Sequence, residues 1–87
     1  MTIVKCTPIN LPIVNQFAFT TTGYVIQLKG NAMSYYPDIP EFFFNYISPY
    51  PYDLQPTRIS ADYIDSFIKE TDITIDNIKQ AFPEYFI

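Results

Sequence analysis

Two stretches near the N-terminus alternate between apolar and polar positions with the period of two that marks a strand. In Gln16-Phe17-Ala18-Phe19-Thr20, Phe17 and Phe19 share one face. In Tyr24-Val25-Ile26-Gln27-Leu28-Lys29, Tyr24, Ile26 and Leu28 share one face, and Gln27 and Lys29 point the other way. Thr21-Thr22-Gly23 lies between them and supplies a glycine free to take positive φ, as a hairpin turn demands. The pattern predicts an antiparallel β-hairpin. Ile3-Val4 starts a shorter strand, and Pro8 and Pro12 suit loop or edge positions rather than a central strand.

From Ser34 to Thr57 the pattern is different. Pro37, Pro40, Pro49, Pro51 and Pro56 are interleaved with Tyr35, Tyr36, Phe42, Phe43, Phe44, Tyr46, Tyr50 and Tyr52. Asp38-Ile39-Pro40-Glu41 matches a helix start, with Asp as N-cap, an early proline and Glu three residues on. That reading gives a short helix from Ile39 to Ile47, ended at Ser48 by Pro49. A strand over Phe42 to Ile47 competes with it on propensity. An extended loop follows.

The last third shifts to helical spacing. Ile64, Phe67 and Ile68 fall at i, i+3 and i+4 behind a capping Ser60, with Asp62 and Asp65 where carboxylates suit a helix dipole. Thr74 caps a second segment in which Ile75, Ile78 and Phe82 recur at i, i+3 and i+7, and Pro83 stops it. The apolar tail from Glu84 is expected to dock on the body. These elements predict an α+β fold: a small N-terminal antiparallel hairpin or sheet, a Tyr/Pro-rich middle and a C-terminal helical pair.

Composition narrows the picture. Eighty-seven residues fit a single domain over 1–87, and eight Phe, eight Tyr and many Ile supply a core. The lone Cys6 makes no intramolecular disulfide, and the N-terminus lacks the charge and apolar run of a signal peptide. No stretch is apolar enough to span a bilayer as a helix. These features predict a cytoplasmic protein with no membrane association.

Charge is unevenly placed. Up to Ile59 the acids Asp38, Glu41 and Asp53 balance Lys5, Lys29 and Arg58. Beyond it, Asp62, Asp65, Glu70, Asp72, Asp76 and Glu84 face only Lys69 and Lys79, so the whole excess of −4 lies there. A direct nucleic-acid binder shows the opposite sign, because phosphate affinity comes from Lys and Arg.

The chain offers little for catalysis. It has no histidine, so the commonest general base and metal ligand is missing. Cys6 reads as a small core residue. The pairs Asp62/Asp65 and Asp72/Asp76 lack calcium-loop spacing and read as solvated helix ends. With only Gly23 and Gly30, no glycine-rich phosphate loop exists. No enzyme activity, cofactor or metal is expected.

Tyrosines gathered among prolines point to an interface, because a stiff backbone presents them at little entropic cost. The expectation is therefore a non-catalytic protein-binding module. Its aromatic anchors are Tyr35, Tyr36, Tyr46, Tyr50 and Tyr52, and its steering carboxylates are Asp62, Asp65, Asp72 and Asp76. The partner is a protein with a basic surface, such as a nucleic-acid-handling protein that the chain inhibits or modulates. Small acidic inhibitors from phages and mobile elements, anti-CRISPR and anti-restriction proteins among them, are analogous in size and charge alone. Two alternatives are a structural subunit acting as a homodimer and a helix-turn-helix regulator reading DNA through Asn77, Lys79 and Gln80.

Overall fold

Six strands hydrogen-bond into one antiparallel sheet: β1 (Ile3–Lys5), β2 (Phe17–Thr20), β3 (Val25–Ala32), β4 (Glu41–Ser48), β5 (Thr57–Ser60) and β6 (Ile64–Ile68). Among the described residues there are also one helix, α1 (Ile75–Ala81), and two short 3-10 turns, Ala61–Tyr63 and Pro83–Tyr85. The computed structural model describes residues 1–34, 38–49 and 57–86.

The strand order is β1-β6-β2-β3-β4-β5, and it forces the sheet to curl. In a flat sheet β5 and β6 would stand four strand spacings apart, about 19 Å. Only the turn Ala61–Tyr63 joins them, and at about 2 Å per residue it advances roughly 6 Å. Curling brings the two ends of the chain segment within reach. The turn is held there from both sides. Ala61 N–H donates to the Pro40 carbonyl at 2.8 Å, and Thr21 N–H donates to the Tyr63 carbonyl at 2.9 Å.

Curling gives the sheet two buried faces. Inside lie Ala18, Ile26, Leu28, Phe42, Phe44, Ile64 and Phe67. Ala18 pairs with both Ile26 and Phe67, and its small side chain leaves room for the Phe67 ring. Outside, Phe17, Phe19, Val25 and Ile68 are covered by Ile78 of α1, with Phe82, Tyr85 and Phe86 of the tail packed against them. Phe19 contacts the Phe82 ring edge-on at 5.0 Å and the Tyr85 ring at 4.9 Å. The Ser48 hydroxyl donates to the Tyr85 carbonyl and fastens the tail to the end of β4. Buried Gln16 ties the loop before β2 to the end of β6. Its amide nitrogen donates to the Lys69 carbonyl at 2.8 Å, and its oxygen accepts from Ile13 N–H at 2.8 Å.

The β2–β3 hairpin forms as the alternation predicts, with Gly23 at φ 89° in its turn. The α+β class and the C-terminal helical pair do not. The described residues form mostly a six-stranded antiparallel sheet, with one short helix among them. Ile64, Phe67 and Ile68 belong to strand β6. Against β2 the register runs Phe19↔Ser66 and then Thr20↔Ile64, so Asp65 is the extra residue of a β-bulge. The bulge breaks the alternation and turns Ile64 and Phe67 to the same inner face. Their spacing of three imitates a helix. Ser60 does act as a cap, accepting from Asp62 N–H at 3.3 Å, but for one 3-10 turn only. The helix over Ile39 to Ile47 is likewise replaced by β4, because each side of this segment packs against a strand, β3 and β5. Without a first helix the helix-turn-helix arrangement is absent.

The second predicted helix is present as α1. Thr74 accepts from Asn77 N–H at 3.1 Å, while the Asn77 side chain accepts from Thr74 N–H at 3.0 Å, a reciprocal capping box. Among the described residues no helix is long and apolar enough to cross a membrane.

Candidate acidic cleft

The curl leaves a cleft of about 410 Å³ beside the turn Ala61–Tyr63. Four distant segments build it: the stretch after β1 (Cys6, Thr7, Pro8, Leu11), the approach to β4 (Asp38, Ile39, Pro40), the turn (Ala61, Asp62) and the start of β6 (Ile64). The bond from Ala61 N–H to the Pro40 carbonyl draws the second and third of these together. Cys6 N–H donates to the Asp65 carbonyl at 3.0 Å and brings in the first. Leu11, Ile39, Pro40 and Ile64 supply apolar surface, and the carboxylates of exposed Asp38 and Asp62 supply negative charge.

Among the described residues no ion pair neutralises those two carboxylates. Among the described residues the ion pairs are Met1–Glu70 and Lys5–Asp65, and neither involves Asp38 or Asp62. The Lys5–Asp65 pair, at 3.3 Å, is solvent-exposed on both sides, so water screens it. The thiol of Cys6 senses the resulting field. Burial pushes its pKa above the ordinary thiol value, and the charges of Asp62 and Asp65 push it further the same way. A thiol held protonated makes a poor nucleophile. The Cys6 thiol makes a long contact of 3.9 Å to the Ala61 carbonyl. Among the described residues no group of three or more Cys, Asp or Glu side chains is placed to hold a metal ion.

The predicted site residues separate. Asp62 lines the cleft and Asp65 lies close enough to act on Cys6. Asp72, between β6 and α1, and Asp76, in the first turn of α1, are exposed on the segment that covers the opposite face of the sheet. Tyr46 is half-buried and packs toward the inner core, edge-on to Phe44 at 4.9 Å and to Tyr24 at 5.6 Å. Tyr35, Tyr36, Tyr50 and Tyr52 lie outside the described residues. The sequence reading missed Asp38, which it assigned to a helix cap, and the apolar floor of Leu11, Ile39 and Ile64. No local signal marks them, because the cleft exists only through contacts between segments far apart in the chain.

No family model matches the chain, and neither a curated protein nor a solved structure matches it.

Proposed function

We propose that this chain is a non-catalytic protein-binding module whose acidic cleft receives a basic surface of another protein. The observation that carries the reading is one cleft lined by two carboxylates, Asp38 and Asp62, with no ion pair among the described residues, together with the apolar side chains of Leu11, Ile39 and Pro40. A lysine or arginine side chain has the matching form, an aliphatic stem ending in a cation. Charge complementarity of this kind steers association and selects partners more than it adds raw affinity. Basic surfaces of proteins often handle nucleic acid, and occupying one would make the chain an inhibitor or modulator of that partner.

The test is a parallel capture from the native host lysate by the wild-type chain and by the double variant Asp38→Asn/Asp62→Asn. A basic protein retained stoichiometrically by the wild type and lost with the variant supports the reading. Equal retention by both chains, or recovery of the bait alone, contradicts it.

A second reading, self-association, draws support from the apolar loop before β2, where Ile9 is 89% exposed and Ile13 and Val14 are also exposed. Light scattering across a concentration series distinguishes the two, since only self-association gives a mass that doubles without a partner.

A further inference from the structure

The half of the outer sheet face away from α1 carries two cations, Lys29 and Arg58, with one carboxylate, Glu41, at the start of β4. On β4, Phe42 and Phe44 point into the inner core, so Phe43 between them points outward. Arg58 of β5 stands directly across from Phe43, with its guanidinium carbon 5.5 Å from the ring centroid. On the other side is Lys29. The register passes from Leu28↔Phe44 to Gly30↔Phe43, which makes Lys29 the extra residue of a β-bulge. Bulges re-aim a side chain, and Lys29 lines a shallow pocket of about 290 Å³ with Phe43, Phe44 and Asn45. Arg58 thus lies over the Phe43 ring and Lys29 lines the adjoining pocket, with the exposed Asn45 on the same strand. Neither Lys29 nor Arg58 belongs to an ion pair among the described residues.

The chemistry of this face defines its ligand. A partly exposed aromatic ring beside two cations takes a flat group, and the cations take an oxyanion carried on that group. The pocket lies at the small end of the range for small-molecule sites, so it suits one ring system with its anionic substituent. A nucleic-acid strand fits poorly, because its affinity grows with the number of phosphates neutralised and the chain carries a net charge of −4. We propose that the outer face of β3–β5 binds a small planar anion, an aromatic or heteroaromatic ring bearing a single phosphate or carboxylate. Lys29 and Arg58 hold the oxyanion, Phe43 packs against the ring, and Asn45 bonds its edge. This site is independent of the acidic cleft.

The test is an amide NMR titration of the full chain with phenyl phosphate and with benzoate, alongside phenol and inorganic phosphate as half-ligands. Saturable shifts confined to Lys29, Phe43, Asn45 and Arg58 are expected with at least one ring-bearing anion, and the phosphate and carboxylate arms show which oxyanion is preferred. Neither half-ligand should saturate at the same concentration. The double variant Lys29→Gln/Arg58→Gln should bind about tenfold more weakly or worse, as expected for lost charge-assisted hydrogen bonds. Because Lys29 and Arg58 are both exposed, the variant's fold is readily checked from its spectrum. Saturation by inorganic phosphate alone, unchanged affinity in the variant, or no saturation by either ring-bearing anion overturns the proposal. So does a shift of these amides with protein concentration alone, which would assign the face to a second copy.

Discussion

Replacing Ile78 by alanine tests whether α1 serves as a cover for the sheet. The helix has seven residues, too few to persist alone in water, so its stability must come from docking. Ile78 is its one buried residue, at 0% exposure against Phe17, Phe19, Val25 and Ile68. The substitution removes three carbons from a fully buried site, about 2.4 kcal/mol at roughly 0.8 kcal/mol per methylene. The unfilled space adds to this, giving about 3 kcal/mol in total. For a chain of this size that corresponds to a fall in Tm of about 12–24 °C. Ile75→Ala, at a position 45% exposed on the same helix, should change stability by less than about 0.5 kcal/mol. Urea unfolding followed by far-UV circular dichroism measures both. A loss under about 1 kcal/mol for Ile78→Ala, or equal losses for the two variants, would refute the account of α1 as a docked cover.

Three further outcomes follow from local chemistry. Thr74→Ala breaks the capping box and should cost about 1 kcal/mol in the same unfolding assay, whereas Thr74→Ser should cost little. Thr2 N–H is shared between the two carboxylate oxygens of Glu70, at 2.6 and 2.9 Å. That bonding, helped by the nearby N-terminal charge, holds its pKa below the ordinary carboxylate value. Its folded pKa lies below its unfolded one, so its contribution is complete above the unfolded pKa and disappears as pH falls through the folded pKa. Amide exchange in β1 should therefore be faster in Glu70→Gln than in wild type at neutral pH, and the two should converge in acid. Finally, Cys6 should alkylate more slowly than a free thiol at neutral pH. Asp62→Asn should speed the reaction by removing one of the charges that raises the thiol pKa; an unchanged rate would show that the Asp62 field does not reach the sulfur.

What the sequence revealed depended on whether the evidence was local. The hairpin was legible because Phe17 and Phe19 alternate, as do Ile26 and Leu28, and Gly23 falls between the two strands. The capping box of α1 was legible because Thr74 and Asn77 are three residues apart. Strand β6 was misread because its bulge at Asp65 places Ile64 and Phe67 on one face at helical spacing. Burial of both sheet faces removed the polar positions that would have exposed the error, as Ile68 packs outside while Phe67 packs inside. Strand β4 was ambiguous for the same reason, since Phe42, Phe43 and Phe44 divide between the two faces. The cleft was invisible. Asp38 and Asp62 are brought to it by the curl, and the curl follows from a strand order that no local pattern encodes.

The most direct test of the acidic cleft is the association rate of the captured partner as a function of salt, for the wild type and for Asp38→Asn/Asp62→Asn. The account predicts a wild-type rate that falls steeply with ionic strength, and a variant that associates about tenfold more slowly at low salt with a flatter dependence. Identical rates and identical salt slopes for the two chains would show that the cleft is not where the partner binds.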